Sequence, residues 1–125
     1  MRFMQQDKAQ SYFTTSLCSV VLESKDRSAR FQIALDVVRP LPRGALLETE
    51  FQNPSEKAVL SVTRAVSGDE RRIVLTSPPV AQIRAGGYET VTRIYAAADR
   101  KNILGVHTQR CESLVDHREL GPEFR

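Results

Sequence analysis

Turn-forming residues interrupt this chain at short intervals, and that spacing limits what the chain can fold into. Clusters of Gly, Pro, Asn, Asp and Ser recur at intervals of roughly 8 to 16 residues, at positions 23–26, 39–44, 53–56, 67–70, 77–79, 85–87 and 99–102. The segments between them are too short for typical helices. They are rich in Val, Ile, Thr, Phe and Tyr, which pack well on a pleated surface. The pattern therefore predicts an all-β chain.

Seven strands are predicted between these turns, at about Tyr12 to Leu22, Arg30 to Val38, Ala45 to Gln52, Ala58 to Val66, Arg71 to Thr76, Tyr88 to Ala96 and Ile103 to Ser113. The second alternates most clearly, with Phe31, Ile33 and Leu35 on one face. Alternation of this kind predicts one face in the core and one in water. The fifth is short and stops at Pro78 and Pro79, which predicts a sheet edge.

The length of 125 residues, with 41% hydrophobic content, is that of a single domain. A chain of this size buries enough surface to fold without a metal or a disulfide. We expect a β-sandwich domain over residues 12–114. The polar ends, residues 1–11 and 115–125, are expected to be mobile.

One local motif narrows the fold further. Near the start of the sixth strand, Ile83 is followed by a turn containing Gly86 and Gly87 and then by Tyr88. This motif resembles the corner before the penultimate strand of immunoglobulin-like and fibronectin type III-like sandwiches. The resemblance implies an antiparallel immunoglobulin-like β-sandwich. It also implies a structural role for Tyr88, whose hydroxyl would bond to backbone a few residues upstream. It names no activity.

The charge balance argues against a nucleic-acid partner. The chain has 18 basic and 15 acidic residues, a net charge of +3, and 14 of the basic residues are Arg. Nucleic-acid binders usually gather basic residues into one patch or stripe, whereas these are scattered among Asp and Glu. We therefore expect a mixed-charge surface. Binding of nucleic acid or another anionic ligand through the dispersed Arg residues remains an alternative function.

Location and thiol chemistry follow from what the sequence lacks. No segment approaches the roughly 18 apolar residues of a membrane span, and residues 1–10 have no apolar signal core. These features predict no membrane insertion and a cytoplasmic location. Cys18 and Cys111 fit neither a metal knuckle nor a redox pair spaced by two residues. We expect buried free thiols, or a disulfide if the first and last strands are neighbours.

Signatures of catalysis are missing from the sequence. The chain has no phosphate-binding loop, dinucleotide motif, nucleophile elbow, zinc-protease motif or EF-hand loop, and only two histidines. We predict a protein that is not an enzyme and that uses no metal and no cofactor. The alternative is a small enzyme with a loop-built site, which would place His107 or Cys111 in a deep pocket. Glu48 and Glu50 are interpreted as solubilising charges, and residues 67–72 as a solvated hairpin tip rather than a phosphate site.

The last two strands carry the candidate binding residues. If Leu104 and Val106 face the core, His107 and Gln109 lie on the opposite face, beside side chains of the preceding strand. Aromatic residues and Arg are enriched at protein interfaces. The candidate interaction surface consists of Arg93, Tyr95, His107, Gln109 and Arg110. We therefore predict a protein interaction or assembly module that binds a protein partner, or a second copy of itself, through a sheet face or an edge strand.

Overall fold

A computed structural model describes residues 12–23, 25 and 27–120. These residues form seven strands, β1 (Phe13–Glu23), β2 (Ser28–Val37), β3 (Leu46–Phe51), β4 (Leu60–Ala65), β5 (Arg72–Thr76), β6 (Gly86–Tyr95) and β7 (Ile103–Ser113). A single 3-10 turn follows at His117–Glu119. Within this part of the chain, no helix is long and apolar enough to cross a membrane.

The strands form two antiparallel sheets. One sheet has the order β1-β2-β5 and the other the order β4-β3-β6-β7. The described part of the chain is thus an all-β sandwich of seven strands, as predicted, and the arrangement is compatible with an immunoglobulin-like fold. The prediction of a sheet edge at the fifth strand is also confirmed, because β5 pairs only with β2.

The alternating pattern of the sequence sets which side chains enter the core. Phe31, Ile33 and Leu35 of β2 are fully buried between the sheets, as their spacing predicted. Phe31 stacks on Phe51 of the opposite sheet with ring centroids 5.8 Å apart. It also contacts the Tyr88 ring, which is tilted by 60° at a centroid distance of 5.1 Å. This aromatic cluster joins the two sheets at the centre of the sandwich.

Tyr88 also fastens the turn that precedes β6. Its hydroxyl donates to the Arg84 carbonyl oxygen at 2.8 Å and accepts from the Arg84 backbone N–H at 3.1 Å. The ring is buried, so the hydroxyl exchanges water for these two backbone groups. This is the contact that the resemblance to immunoglobulin-like sandwiches implied for Tyr88.

The two outermost strands, β1 and β7, lie side by side although they belong to different sheets. Cys18 of β1 and Cys111 of β7 form a disulfide, with their Cα atoms 4.7 Å apart, which is within the usual range. Of the two states left open by the sequence, the structure shows the disulfide. A second link is the 2.6 Å hydrogen bond between Thr15 Oγ1 and His107 Nε2. We call this junction the β1/β7 seam.

Residues 115–120 pack against the sandwich. The His117 backbone N–H donates to the Ile83 carbonyl oxygen at 2.7 Å, and Val115 contacts the core. Asp116 caps the short 3-10 turn by accepting from the Arg118 backbone N–H. The expected mobility of the termini stays a prediction, and residues 1–11 and 121–125 lie outside the described residues.

Candidate interaction surface

The structure divides the five predicted binding residues between the two faces of the four-stranded sheet. Arg93, Tyr95 and Arg110 lie on the outer face, whereas His107 and Gln109 lie on the inner face. The predicted orientation of the last strand was therefore wrong. Register explains the reversal: His107 pairs with Thr92, and Thr92 is buried in the core.

The reversed orientation has a sequence cause. The inner face of β7 carries Gly105, His107 and Cys111, which do not form an apolar stripe in the sequence. The outer face carries Leu104 and Val106, which do form an apolar pair. Apolar alternation therefore identified the outer face of β7 as the buried one, because the true inner positions are small or polar. His107 does not belong to the candidate surface.

The outer face of the four-stranded sheet is organised around Arg93. Its Nη1 donates to Glu50 Oε1 at 2.6 Å and lies 3.8 Å from Glu48 Oε1. Tyr95 donates its hydroxyl to the same Glu48 carboxylate at 3.1 Å, and Arg100 reaches Glu48 Oε2 at 3.6 Å. Glu48, Glu50 and Arg93 come from neighbouring strands in register, since Glu48 pairs with Arg93 directly. We call these five residues the Arg93 network.

Two side chains of the Arg93 network, Tyr95 and Glu48, are largely shielded from solvent although they lie on an outer face. The Tyr95 residue is 7% exposed, and the Glu48 side chain 17%. The hydrogen bond to Glu50 is the main cause that raises the pKa of Arg93. Burial, followed by the Glu48 contact, raises the pKa of Tyr95, so its hydroxyl stays protonated and keeps donating. These side chains are held in place instead of moving freely in water.

Glu48 and Glu50 were predicted to be solubilising charges, but they also hold Arg93. Their alternate positions in the third strand already indicated a shared outward face. What the sequence did not supply was the strand order that places β6 beside β3. Only that order brings Arg93 within reach of both carboxylates.

A groove of about 350 Å³ lies beside the network. Its apolar walls are Val59, which is 50% exposed, and Val91. Glu50, Glu89 and Lys57 line it as well. Within the described residues, Glu89 has no ion-pair partner, so the groove presents a carboxylate beside two apolar walls. Apart from Glu50, sequence reasoning did not single out these groove residues, because they come from separate strands and a loop.

His107, in contrast, faces the core. It is 5% exposed, and its ring packs edge-on against Phe13 with centroids 6.1 Å apart. Burial lowers its pKa, because the charged form would lose its hydration. Among the described residues, Nδ1 has no hydrogen-bond partner. Two grooves that the described residues form at the surface, one beside residues 68–71 and one beside Val59 and Val91, are lined by residues other than His107 and Cys111.

In the turn at residues 67–70, a side-chain carboxylate accepts hydrogen bonds from the backbone of the turn itself. The Glu70 carboxylate accepts from the backbone N–H of Ser67 and of Gly68, both at 2.9 Å. These bonds, the one from Ser67 first, lower the pKa of Glu70 to about 2. Since two N–H groups that could bind a phosphate are already satisfied, the turn offers no open anion site there.

The short edges of the sandwich carry features that discourage strand addition. Arg64 of β4 pairs with the inward-facing Leu47, so a charge lies on the inner side of that edge. β5 has five residues and is followed by Pro78 and Pro79. Inward charges, short strands and prolines are the usual ways in which edges are protected. The faces of the sheets are therefore better candidates for binding than these edges.

Comparisons with known proteins add no family to this picture. No family model matches the chain, and a search of curated proteins finds no relative. Within the described ranges, no cluster of three or more His, Cys, Asp and Glu residues is arranged to hold a metal ion.

Proposed function

We propose that the chain is a protein interaction module of immunoglobulin-like, fibronectin type III-like topology that binds through the outer face of its four-stranded sheet. The observation that carries the proposal is the Arg93 network beside the Val59 and Val91 groove. Tyr and Arg side chains that are already ordered lose less conformational entropy when a partner binds. Tyr and Arg are also the types that dominate binding energy at interfaces.

The chemistry of the groove indicates the kind of partner. Val59 and Val91 offer apolar contact, and the groove is also lined by Lys57 and by Glu89, whose carboxylate forms no ion pair among the described residues. A partner segment with one basic side chain flanked by apolar residues is complementary to this arrangement. Such a segment can come from another protein or from a second copy of this Arg-rich chain.

The alternative of an anionic ligand has less support on this face. The Arg93 guanidinium is already paired with two carboxylates, and Arg110 lies 3.2 Å from Glu112. These cations are neutralised within the protein. Anion binding through other Arg residues predicts affinity that falls steeply with salt, whereas binding in the valine groove predicts a weaker dependence.

Two valines provide a matched test of the proposed face. Val91→Arg places a charge in the groove, whereas Val74→Arg places one on the outer face of the other sheet, where Val74 is 44% exposed. Each purified chain is immobilised and incubated with lysate from the source organism, and bound proteins are quantified by mass spectrometry. We expect a protein that the wild type and Val74→Arg retain and that Val91→Arg loses.

The same experiment has clear contrary results. Equal capture by Val91→Arg and the wild type would contradict the proposed face. Loss of binding in Val74→Arg alone would place the interface on the three-stranded sheet. Circular dichroism of both variants establishes that they remain folded, so that the comparison concerns the surface only.

The cytoplasmic location expected from the sequence remains a proposal, and the Cys18–Cys111 disulfide bears on it. Disulfides are rare in cytosolic proteins, where they are usually transient or redox-sensing, and common in oxidising compartments. Acid quenching of source cells followed by thiol alkylation measures the state of the pair. A fully oxidised pair in growing cells would argue against the cytoplasm.

A further inference from the structure

The two sulfurs of the disulfide differ in their surroundings. Cys111 is completely buried on the inner face of β7. Cys18 lies on the edge strand β1 and is partly exposed. The pairing of β1 with β2 shifts register between Thr15 and Leu17, and the bulge residue Ser16 and Leu17 are both exposed. The bulge disrupts the ladder two residues before Cys18, while Cys18 itself pairs with Ile33 and is partly buried against the core.

A hydroxyl group lies against the buried sulfur. Thr90 Oγ1 is 3.1 Å from Cys111 Sγ and 4.0 Å from Cys18 Sγ. Thr90 comes from β6, which pairs with β7, and is itself 1% exposed. A hydroxyl at this distance can donate a hydrogen bond to a thiolate formed on Cys111. Such a bond stabilises a buried leaving group that otherwise lacks solvation.

From these two asymmetries we propose that the Cys18–Cys111 disulfide is an exchangeable redox site that a dithiol reductant opens by attack on Cys18. One thiolate of the dithiol bonds to Cys18 Sγ, the disulfide breaks, and Cys111 leaves as a thiolate that accepts the Thr90 hydrogen bond. The second thiolate of the reductant then bonds to the first sulfur of the reductant and releases Cys18. Two electrons pass to the protein, the reductant becomes a disulfide, and solvent protonates the two cysteines.

Opening the disulfide loosens the β1/β7 seam and leaves the rest of the fold intact. β1 keeps its ladder with β2, which runs from Phe13 to Glu23. Across the seam, the Thr15 to His107 hydrogen bond and the packing of Phe13 on His107 remain. Reduction therefore changes the freedom of one edge strand. This inference does not depend on the proposed binding face, which lies on the other side of β7.

Reduction of the native protein is the first test. The full chain is incubated with dithiothreitol without denaturant, free thiols are counted over time, and circular dichroism follows the sheets. We expect two thiols to appear while the β signal persists, at a rate well above that of global unfolding. Appearance of thiols only at the measured unfolding rate would overturn the proposal.

Single-cysteine variants test which sulfur is attacked. Cys111→Ser leaves Cys18 alone, and Cys18→Ser leaves Cys111 alone. With iodoacetamide under native conditions, we expect Cys18 to react at least about 100-fold faster than Cys111, because reaction rates of thiols follow access as well as thiolate character. Equal rates, or faster labelling of Cys111, would refute attack at Cys18.

A pair of threonine variants tests the role of the hydroxyl. Thr90→Val removes the group beside Cys111, whereas Thr92→Val removes an equally buried hydroxyl that bonds to Thr49 at 2.8 Å. Loss of a hydrogen bond to the leaving thiolate is expected to slow reduction of Thr90→Val about tenfold, with Thr92→Val near the wild-type rate. Equal slowing in both variants would show a general packing effect and would contradict the assignment.

Discussion

Single residues decide where polar groups enter this sandwich. The inner face of the four-stranded sheet holds Thr49, Thr92 and His107, and each has a hydrogen-bond partner. An apolar pattern cannot reveal such positions, because it identifies the core by hydrophobic residues alone. The burial of His107 was therefore missed, whereas that of Phe31 was predicted.

His107 should make stability fall as the pH drops below neutrality. Its folded pKa is lowered by burial, so the unfolded chain binds a proton first. The free energy of unfolding is therefore unaffected by this group above the unfolded pKa of about 6.5 and declines below it. Between pH 7 and 5, the free energy of unfolding measured by denaturant titration should fall less steeply for His107→Gln than for the wild type. Parallel curves would contradict the prediction, and His117→Gln serves as the control.

The Glu70 carboxylate should affect stability in a more acidic pH range than His107 does. Its folded pKa of about 2 is lower than its ordinary value of 4.5, so its contribution is present above about 4.5 and disappears as the pH falls towards 2. We expect Glu70→Gln to have a lower Tm than the wild type at pH 7 and the same Tm near pH 2. A Tm difference that does not change with pH would show that the carboxylate charge is irrelevant to the turn.

Tyr88→Phe should cost about 1 to 3 kcal/mol in the free energy of unfolding, because both backbone groups of Arg84 lose their partner. Urea denaturation measures the difference. The matched variant Tyr95→Phe removes a hydroxyl that bonds to Glu48, and should cost less because that carboxylate keeps its contacts with Arg93 and Arg100. No measurable loss in Tyr88→Phe would show that the turn before β6 does not depend on the Tyr88 hydroxyl.

At the scale of elements, turn chemistry and alternation predicted the strands well. All seven predicted segments are strands, and their bounds agree to within two residues. The order of the strands could not be predicted from local sequence patterns, because it depends on which distant segments become neighbours. The β3 to β6 pairing that creates the Arg93 network, and the β1/β7 seam, both arise from strand order.

The edge strand β4 supplies a prediction about self-association. Arg64→Val removes the inward charge at this edge and leaves a more apolar strand, which favours pairing between molecules. Light scattering should show a higher average mass for this variant than for Thr63→Val, whose side chain is on the outer face. Equal masses would mean that Arg64 does not protect the edge.

The disulfide should contribute substantially to stability, since it closes a loop of 93 residues. Replacing both cysteines by Ala is expected to lower the free energy of unfolding by roughly 2 to 5 kcal/mol. Urea denaturation of the oxidised wild type and the double variant measures this loss. No loss at all would show that the seam is held by its hydrogen bond and packing alone.

For the whole molecule, the all-β sandwich followed from the sequence, while the candidate surface followed only in part. Arg93, Tyr95 and Arg110 lie on one outer face, but the carboxylates and valines that give this face its character come from other elements. A binding surface on a sheet collects residues that are distant in sequence, so no local motif marks it. The proposed function therefore depends on that assembled face more than on any single strand.

The most direct test of this account is to find what touches the proposed face. A photo-crosslinking amino acid placed at position 91, and separately at position 74, is activated in the source lysate, and crosslinked products are identified by mass spectrometry. We expect one abundant protein, or a second copy of this chain, joined through position 91 and not through position 74. Abundant crosslinks through position 74 alone, with none at position 91, would contradict it.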